Sequence, residues 1–177
     1  MAGKEYSIEQ AIDKMQREWE TAEMSVLDYR ETKTYVIKVE EQVMQMLDDH
    51  IVMTQSMSFS PYKKPFEERL FKWEQQLNLV SEILEQWIAV QRQWMYLEPI
   101  FSSDDIMQQL PLEGKRFATV DRQWRKATET AKRNPLLLKV CSTQKMLDQF
   151  IEANKLLESV QKGLSDYLET KRLAFAR

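Results

Sequence analysis

The sequence predicts a mainly all-α fold, an elongated antiparallel helical bundle with one small β-hairpin near its N-terminus. Three observations predict it. Over long stretches apolar residues recur in alternating steps of four and three, which is the spacing of one helix face and cannot be met by a strand of period two. The 177 residues include only three glycines and five prolines, too few for the many tight turns of sandwiches and barrels. Only between residues 24 and 39 does the rhythm give way to β-branched and aromatic residues in partial alternation.

Taken in order, Met1 to Glu5 read as a start segment or added remnant outside the fold, which then occupies 6–177. The first helix is expected over about 7–23: Ser7 and Gln10 have capping-box spacing, and Ile8, Ile12, Met15, Trp19 and Ala22 keep the four-three rhythm. SVLDYR and TYVIKV then suit a hairpin over about 25–39, with Glu31, Thr32 and Lys33 as its turn; the rival reading is an irregular extended linker. Two strands alone are marginal in water, so a hairpin here must lean on helices. A second helix over about 40–57 follows from Val43, Leu47, Ile51 and Thr54, with methionines beside them to fill irregular gaps between several neighbours.

The longest periodic stretch, about 62–98, is the central helix. Pro65 suits its first turn, and Phe66, Leu70, Trp73, Leu77, Val80, Leu84, Trp87, Gln91 and Trp94 mark one face. At its full length it would span roughly 50 Å. Ile83, Ile88, Val90, Met95 and Leu97 widen the stripe, so its C-terminal half should be gripped from more than one side. The tryptophans on it read as packing residues. Pro99 is expected to end it, since proline lacks the backbone donor. Ser102 or Ser103 can cap a short helix over 103–110 that Pro111 closes. Phe117, Val120, Trp124, Ala127 and Ala131 mark the next helix, 113–133, which stops at Asn134-Pro135. LLLKV leads into a last helix over 143–174, capped by Ser142 or Thr143, in which Gly163 marks a bend or a close approach. The closing KRLAFAR leaves Leu173 and Phe175 without a following turn, as though cut from something longer.

Composition bounds the function. The net charge is −3 with both signs interspersed, so nothing demands a polyanion or a membrane surface. The lone Cys141 excludes an internal disulfide and a multi-cysteine metal site and points to a reducing compartment. No signal pattern or membrane-length apolar run is visible, which reads as soluble and intracellular. Gly114-Lys115 lacks the other residues of a phosphate-binding loop, and His50, the sole histidine, has no companion ligand or nucleophile, so it reads as packed or at the solvent edge. Adjacent acids such as Asp48-Asp49 and Asp104-Asp105 point in different directions on a helix. No catalytic site, cofactor site or metal site is expected. Lys115, Arg116, Arg122, Arg125, Lys126, Lys132 and Arg133 form the most basic face, interrupted by Asp121 and Glu129; it reads as a solvated face or protein contact before a nucleic-acid one.

The segment QRQWMYLEPIFSSDDIMQQLP, residues 91–111, closely resembles the signature of the dynein heavy chain linker. The resemblance extends through LDDHIVMTQSM, SPYKKPF, WEQQL, FATVDRQW and LESVQKGLSDYLETKR, from about Tyr6 onward, and is most like axonemal dyneins. Trp73, Trp87, Gln91, Trp94, Phe101, Phe117 and Trp124 form its structural signature. One departure is Ala176, where the family usually carries proline. The resemblance implies the N-terminal part of a helical lever lying across a ring of AAA+ modules. ATP and Mg²⁺ would be held in that parent ring and none in this stretch. Its partners would be the remainder of the linker and the ring, with microtubules reached only through the parent chain, in the cytoskeleton of a cilium or flagellum. Arg92, Tyr96, Arg122 and Arg125 are candidate contacts to the ring or a neighbouring subdomain, and 99–111 and 134–143 are candidate hinges. Two rivals are a spectrin-like helical scaffold or tether and a helical nucleic-acid-binding module.

Overall fold

In the computed structural model the backbone is described for residues 2–29 and 34–176, and side chains for 7–29 and 35–173. The elements are α1 (Ala2–Glu20), β1 (Ser25–Tyr29), β2 (Thr34–Lys38), α2 (Glu41–Met57), a 3-10 turn (Lys64–Phe66), α3 (Glu67–Phe101), α4 (Asp104–Gln109), α5 (Pro111–Arg133), α6 (Leu137–Val140) and α7 (Gln144–Ala176). The fold is thus mainly helical with one small antiparallel sheet near the N-terminus, as the periodicity predicts.

The core is the trio α3, α5 and α7. Trp94 stacks on Trp124 at 5.5 Å and Phe101 on Phe117 at 5.4 Å, so α5 runs back along α3. Arg116 donates to Ser159 Oγ, and Glu113 lies against Gly163, so α7 in turn runs back along α5. The third helix therefore lies parallel to the first, as in any up-down-up trio; Trp87 stacks on Phe150 at 4.9 Å. Leu70, Trp73, Leu77, Val80, Leu84, Trp87 and Trp94 are all buried, together with Ile83, Val90 and Leu97 of the widened stripe. On the far side α1 and α2 pair antiparallel, with Trp19 against His50 and Met15 against Thr54.

Several expectations at helix ends are corrected. α1 starts at Ala2, ahead of the Ser7 cap, because Ala2, Lys4 and Glu5 are themselves good helix formers. Pro99 lies inside α3 and does not end it. The proline forfeits one hydrogen bond, but Leu97 before it and Phe101 beyond it are buried, and their packing outweighs the loss. Pro111 opens α5 at its first position, where the missing N–H would have no partner anyway, and Leu110 serves as both the end of α4 and the start of α5. Neither Ser102 nor Ser103 caps α4 through its side chain; the Ser102 hydroxyl donates to the Pro99 carbonyl instead. Thr143 caps α7, its Oγ1 accepting the Met146 N–H at 3.3 Å. Gly163 marks a close approach and no break: a Cβ there would collide with the Glu113 side chain.

The hairpin pairs Val26 with Ile37 and Leu27 with Val36, and its expected turn at Glu31 to Lys33 lies outside the described residues. It leans on helices through two contacts. Tyr29 packs on Trp94 at 5.3 Å, and the Gln91 side chain meets the outer edge of β2 like a third strand. The Ile37 N–H donates to Gln91 Oε1 at 2.7 Å, while Gln91 Nε2 donates to the Ile37 carbonyl at 2.9 Å. A second backbone seam joins the segment after α1 to the segment after α5: Met24 N–H donates to the Pro135 carbonyl and Leu137 N–H to the Ala22 carbonyl, both at 3.0 Å. Leu137, Val140 and Cys141 are buried beneath it, so the stretch 134–143 is pinned rather than hinge-like.

Replacing Gln91 by Leu leaves a half-buried N–H and C=O on Ile37 unmet, which costs about 1–3 kcal/mol. We expect a lower urea midpoint and faster amide hydrogen exchange at Ile37, with the α3–α7 core little changed; unchanged exchange at Ile37 would refute the clamp.

Candidate functional site

Within the signature, Trp94 and Trp124 meet at one node, while Trp87 and the Phe101–Phe117 pair make separate contacts along the same helices. Trp94 is fully buried and donates its indole N–H to Asp121 Oδ1 at 2.8 Å; the other carboxylate oxygen accepts from Arg125 Nε at 2.9 Å. About two turns of α5 thus hold toward α3 the face that carries Phe117, Asp121 and Trp124. Beside this node runs a polar ladder between α3 and α7. Gln93 Nε2 donates to Asn154 Oδ1 at 2.9 Å, Asn154 Nδ2 donates to Gln86 Oε1 at 2.7 Å, and Gln161 Nε2 donates to Gln93 Oε1 at 3.1 Å. Trp73 and Trp87 fill the core, and their N–H groups and that of Trp124 have no partner. Sequence periodicity does not reveal Asp121 or Asn154, because each looks like an ordinary polar position on a helix surface.

The four candidate contacts do not form one patch. Arg92 and Tyr96 are exposed one turn apart on α3, on the side away from Trp94, and Tyr96 walls a groove of about 470 Å³ with Leu164, Leu168 and Arg172 of α7. Arg122 is exposed on α5. Arg125 is half-buried and committed to Asp121, so its first role is to orient the acid that holds Trp94. Other cations of the basic face are likewise engaged. Arg133 pairs with Glu129, Lys132 lies 5.5 Å over the Tyr35 ring, and Arg116 meets Ser159.

Gly114 offers no phosphate cradle. It sits within α5, its N–H bonded to the Leu110 carbonyl at 2.8 Å, and a Cβ on it would strike Met107 Sδ. Among the described residues no cluster of three or more His, Cys, Asp or Glu could hold a metal ion, and no helix is long and apolar enough to cross a membrane. Cys141 is wholly buried, and burial pushes its thiol up to about 12. His50 is a packed residue: Nδ1 accepts the Trp19 indole N–H at 2.9 Å, which places its proton on Nε2, 3.0 Å from Glu18 Oε2. Burial lowers its pKa against the opposing pull of Glu18 and Asp49. A second proton would have to enter at Nδ1, facing another donor.

Two outcomes follow from these sites. Cys141 should resist a thiol reagent at pH 8 in the folded chain and react fully in urea; equal rates in both states would contradict the buried thiolate-poor site. For His50 the folded pKa lies below the unfolded one, so the unfolded chain binds the extra proton first as pH falls. Stability should therefore decline from about pH 7.5 toward pH 5.5, a window above most carboxylate titrations, and His50→Gln should flatten that slope.

Comparison with known proteins agrees with the signature. The family described as Dynein heavy chain, N-terminal region 2 matches residues 1–177. The chain is 59% identical over 177 residues to dynein axonemal heavy chain 1 of Mus musculus and 58% identical to that of Homo sapiens, covering all of this chain and 4% of each relative. It is 43% identical over 176 residues to dynein axonemal heavy chain 12 of Homo sapiens, covering 99% of this chain and 6% of that protein. The chain thus spans only a small part of the relatives it matches. With the aromatic node of Trp94 and Trp124 at its centre and the whole length matched, the chain belongs to the dynein heavy chain N-terminal region 2 family.

Proposed function

We propose that this chain forms the N-terminal part of the linker of an axonemal dynein heavy chain. It serves as a helical lever across the AAA+ ring, passing ATP-driven changes of the ring into the power stroke along microtubules in cilia or flagella. Membership of the full chain in the dynein heavy chain family carries the reading. The packing supports it, because a lever must resist bending and close-packed interiors transmit strain. Here α3, α5 and α7 lie side by side through stacked aromatics.

In this reading the chain performs no chemistry of its own, and ATP and Mg²⁺ are held by the ring. Its partners are the remainder of the linker and the ring of the same heavy chain, and it meets no nucleic acid or membrane. Arg92, Tyr96 and Arg122 are the surface residues free to touch them. Flexure falls at 102–110, where α4 buries none of its own residues, rather than at the pinned stretch 134–143. An up-down-up helical trio also suits a spectrin-like tether, and that rival expects motility to be indifferent to surface charge on these helices.

The test is a full heavy-chain motor carrying Arg92→Glu and Arg122→Glu. Arg125 is left intact because its reversal would unseat Asp121 and Trp94. Microtubule gliding should slow while nucleotide binding is retained; gliding at the wild-type rate would reject these residues as working contacts.

A further inference from the structure

We propose that the groove where α5, α6 and the start of α7 meet is a docking site for an acidic linear peptide that inserts one aliphatic side chain. The groove has a volume of about 400 Å³, and Lys126, Lys139 and Lys145 each reach it from a different helix. No Asp or Glu lines it. All three lysines are exposed, and among the described residues none of them has an ion-pair partner, whereas Arg125 and Arg133 of α5 are paired.

Three surface lysines alone would be an ordinary solvated face, but here a second feature lies beneath them. Gln123, Ala127, Met146 and Gln149 form the wall shared with a small, mostly apolar chamber between α3, α5 and α7. Trp124, 1% exposed and with its indole N–H unpartnered, lines that chamber. The chamber itself holds only about 30 Å³, room for a single water, so an aliphatic side chain seats against its outer wall, Ala127 and Met146, within the groove. The first turn of α7 opens on the same mouth. Its helix dipole adds positive potential there.

The combination selects a peptide over a small inorganic anion. A phosphate would satisfy the lysines and leave the apolar wall of Ala127 and Met146 uncovered, and the lysines ring an open trough rather than a closed cradle. A peptide laid along the trough brings side-chain carboxylates to the lysine rim, while one aliphatic side chain covers Ala127 and Met146.

The experiment uses the 177-residue chain and a fluorescein-labelled dodecapeptide of Glu and Asp with one central Leu, followed by fluorescence anisotropy. Saturable binding is expected, weakened about tenfold or more by Lys126→Ala with Lys139→Ala and Lys145→Ala. It should be weakened severalfold when the peptide's Leu is replaced by Gly. Substituting Lys115, Lys155 and Lys162 by Ala matches the loss of charge elsewhere and should leave binding unchanged. Absence of binding, equal loss in both lysine triples, indifference to the Leu, or full displacement by millimolar phosphate at constant ionic strength would each overturn the proposal. All six lysines lie on the surface or helix exterior, and unchanged thermal unfolding of each variant keeps the comparison valid.

Discussion

A buried indole must either find an acceptor or carry the cost of an unmet N–H, and this constraint sorts the tryptophans of the chain. Trp94 and Trp19 find partners, Asp121 and His50, and both pairs sit where separate helices are joined. Trp73, Trp87 and Trp124 find none and act as filling. The Trp94–Asp121 bond does more than satisfy a donor. It fixes the rotation of α5 about its own axis, since a turn of one residue would carry Asp121 some 100° away from α3. With that rotation set, Trp124 and Phe117 face their stacking partners, and Arg122 is left outside.

The same helix that supplies Trp94 also anchors the sheet. The amide of Gln91 occupies the free edge of β2, and Tyr29 packs at a tilt on Trp94 from the hairpin side. One turn of α3 therefore holds a strand edge with one side chain and an adjoining helix with the next. Side-chain amides recur in this role between α3 and α7, where Gln86, Gln93, Asn154 and Gln161 link into a ladder. Such networks are directional where apolar contact is not, so they set the register of two helices that would otherwise slide over one another.

Legibility in the sequence followed physical range. The stripes from Leu70 to Trp94 and from Phe150 to Leu164 could be read because burial imposes a helical period on a single element, and no other part of the chain is needed to see it. Pro99 and Pro111 were misleading because a proline's local effect is fixed while its outcome depends on neighbours: Phe101 holds the helix past one, and a helix start accepts the other. Asp121 looked like a gap in a basic face, and only the position of Trp94 across the interface shows that it is an acceptor. Arg125 reads as a surface contact for the same reason. Its exposed neighbour Arg122, one helical turn away, has no such partner across the interface, and no local pattern separates the two.

The seam between Ala22–Met24 and Pro135–Leu137 has a consequence for the birth of the molecule. Glu23 and Leu136 are bridged although more than a hundred residues separate them along the chain. During synthesis at about 5–20 residues per second, the first helix and the hairpin must wait on the order of ten seconds before the segment that seals them is made. Through that interval Trp19 and Ile12 can be covered by α2, but Met24 and its flanking backbone cannot be closed. The first third of this stretch therefore stays unsealed until residues 135–137 have been made.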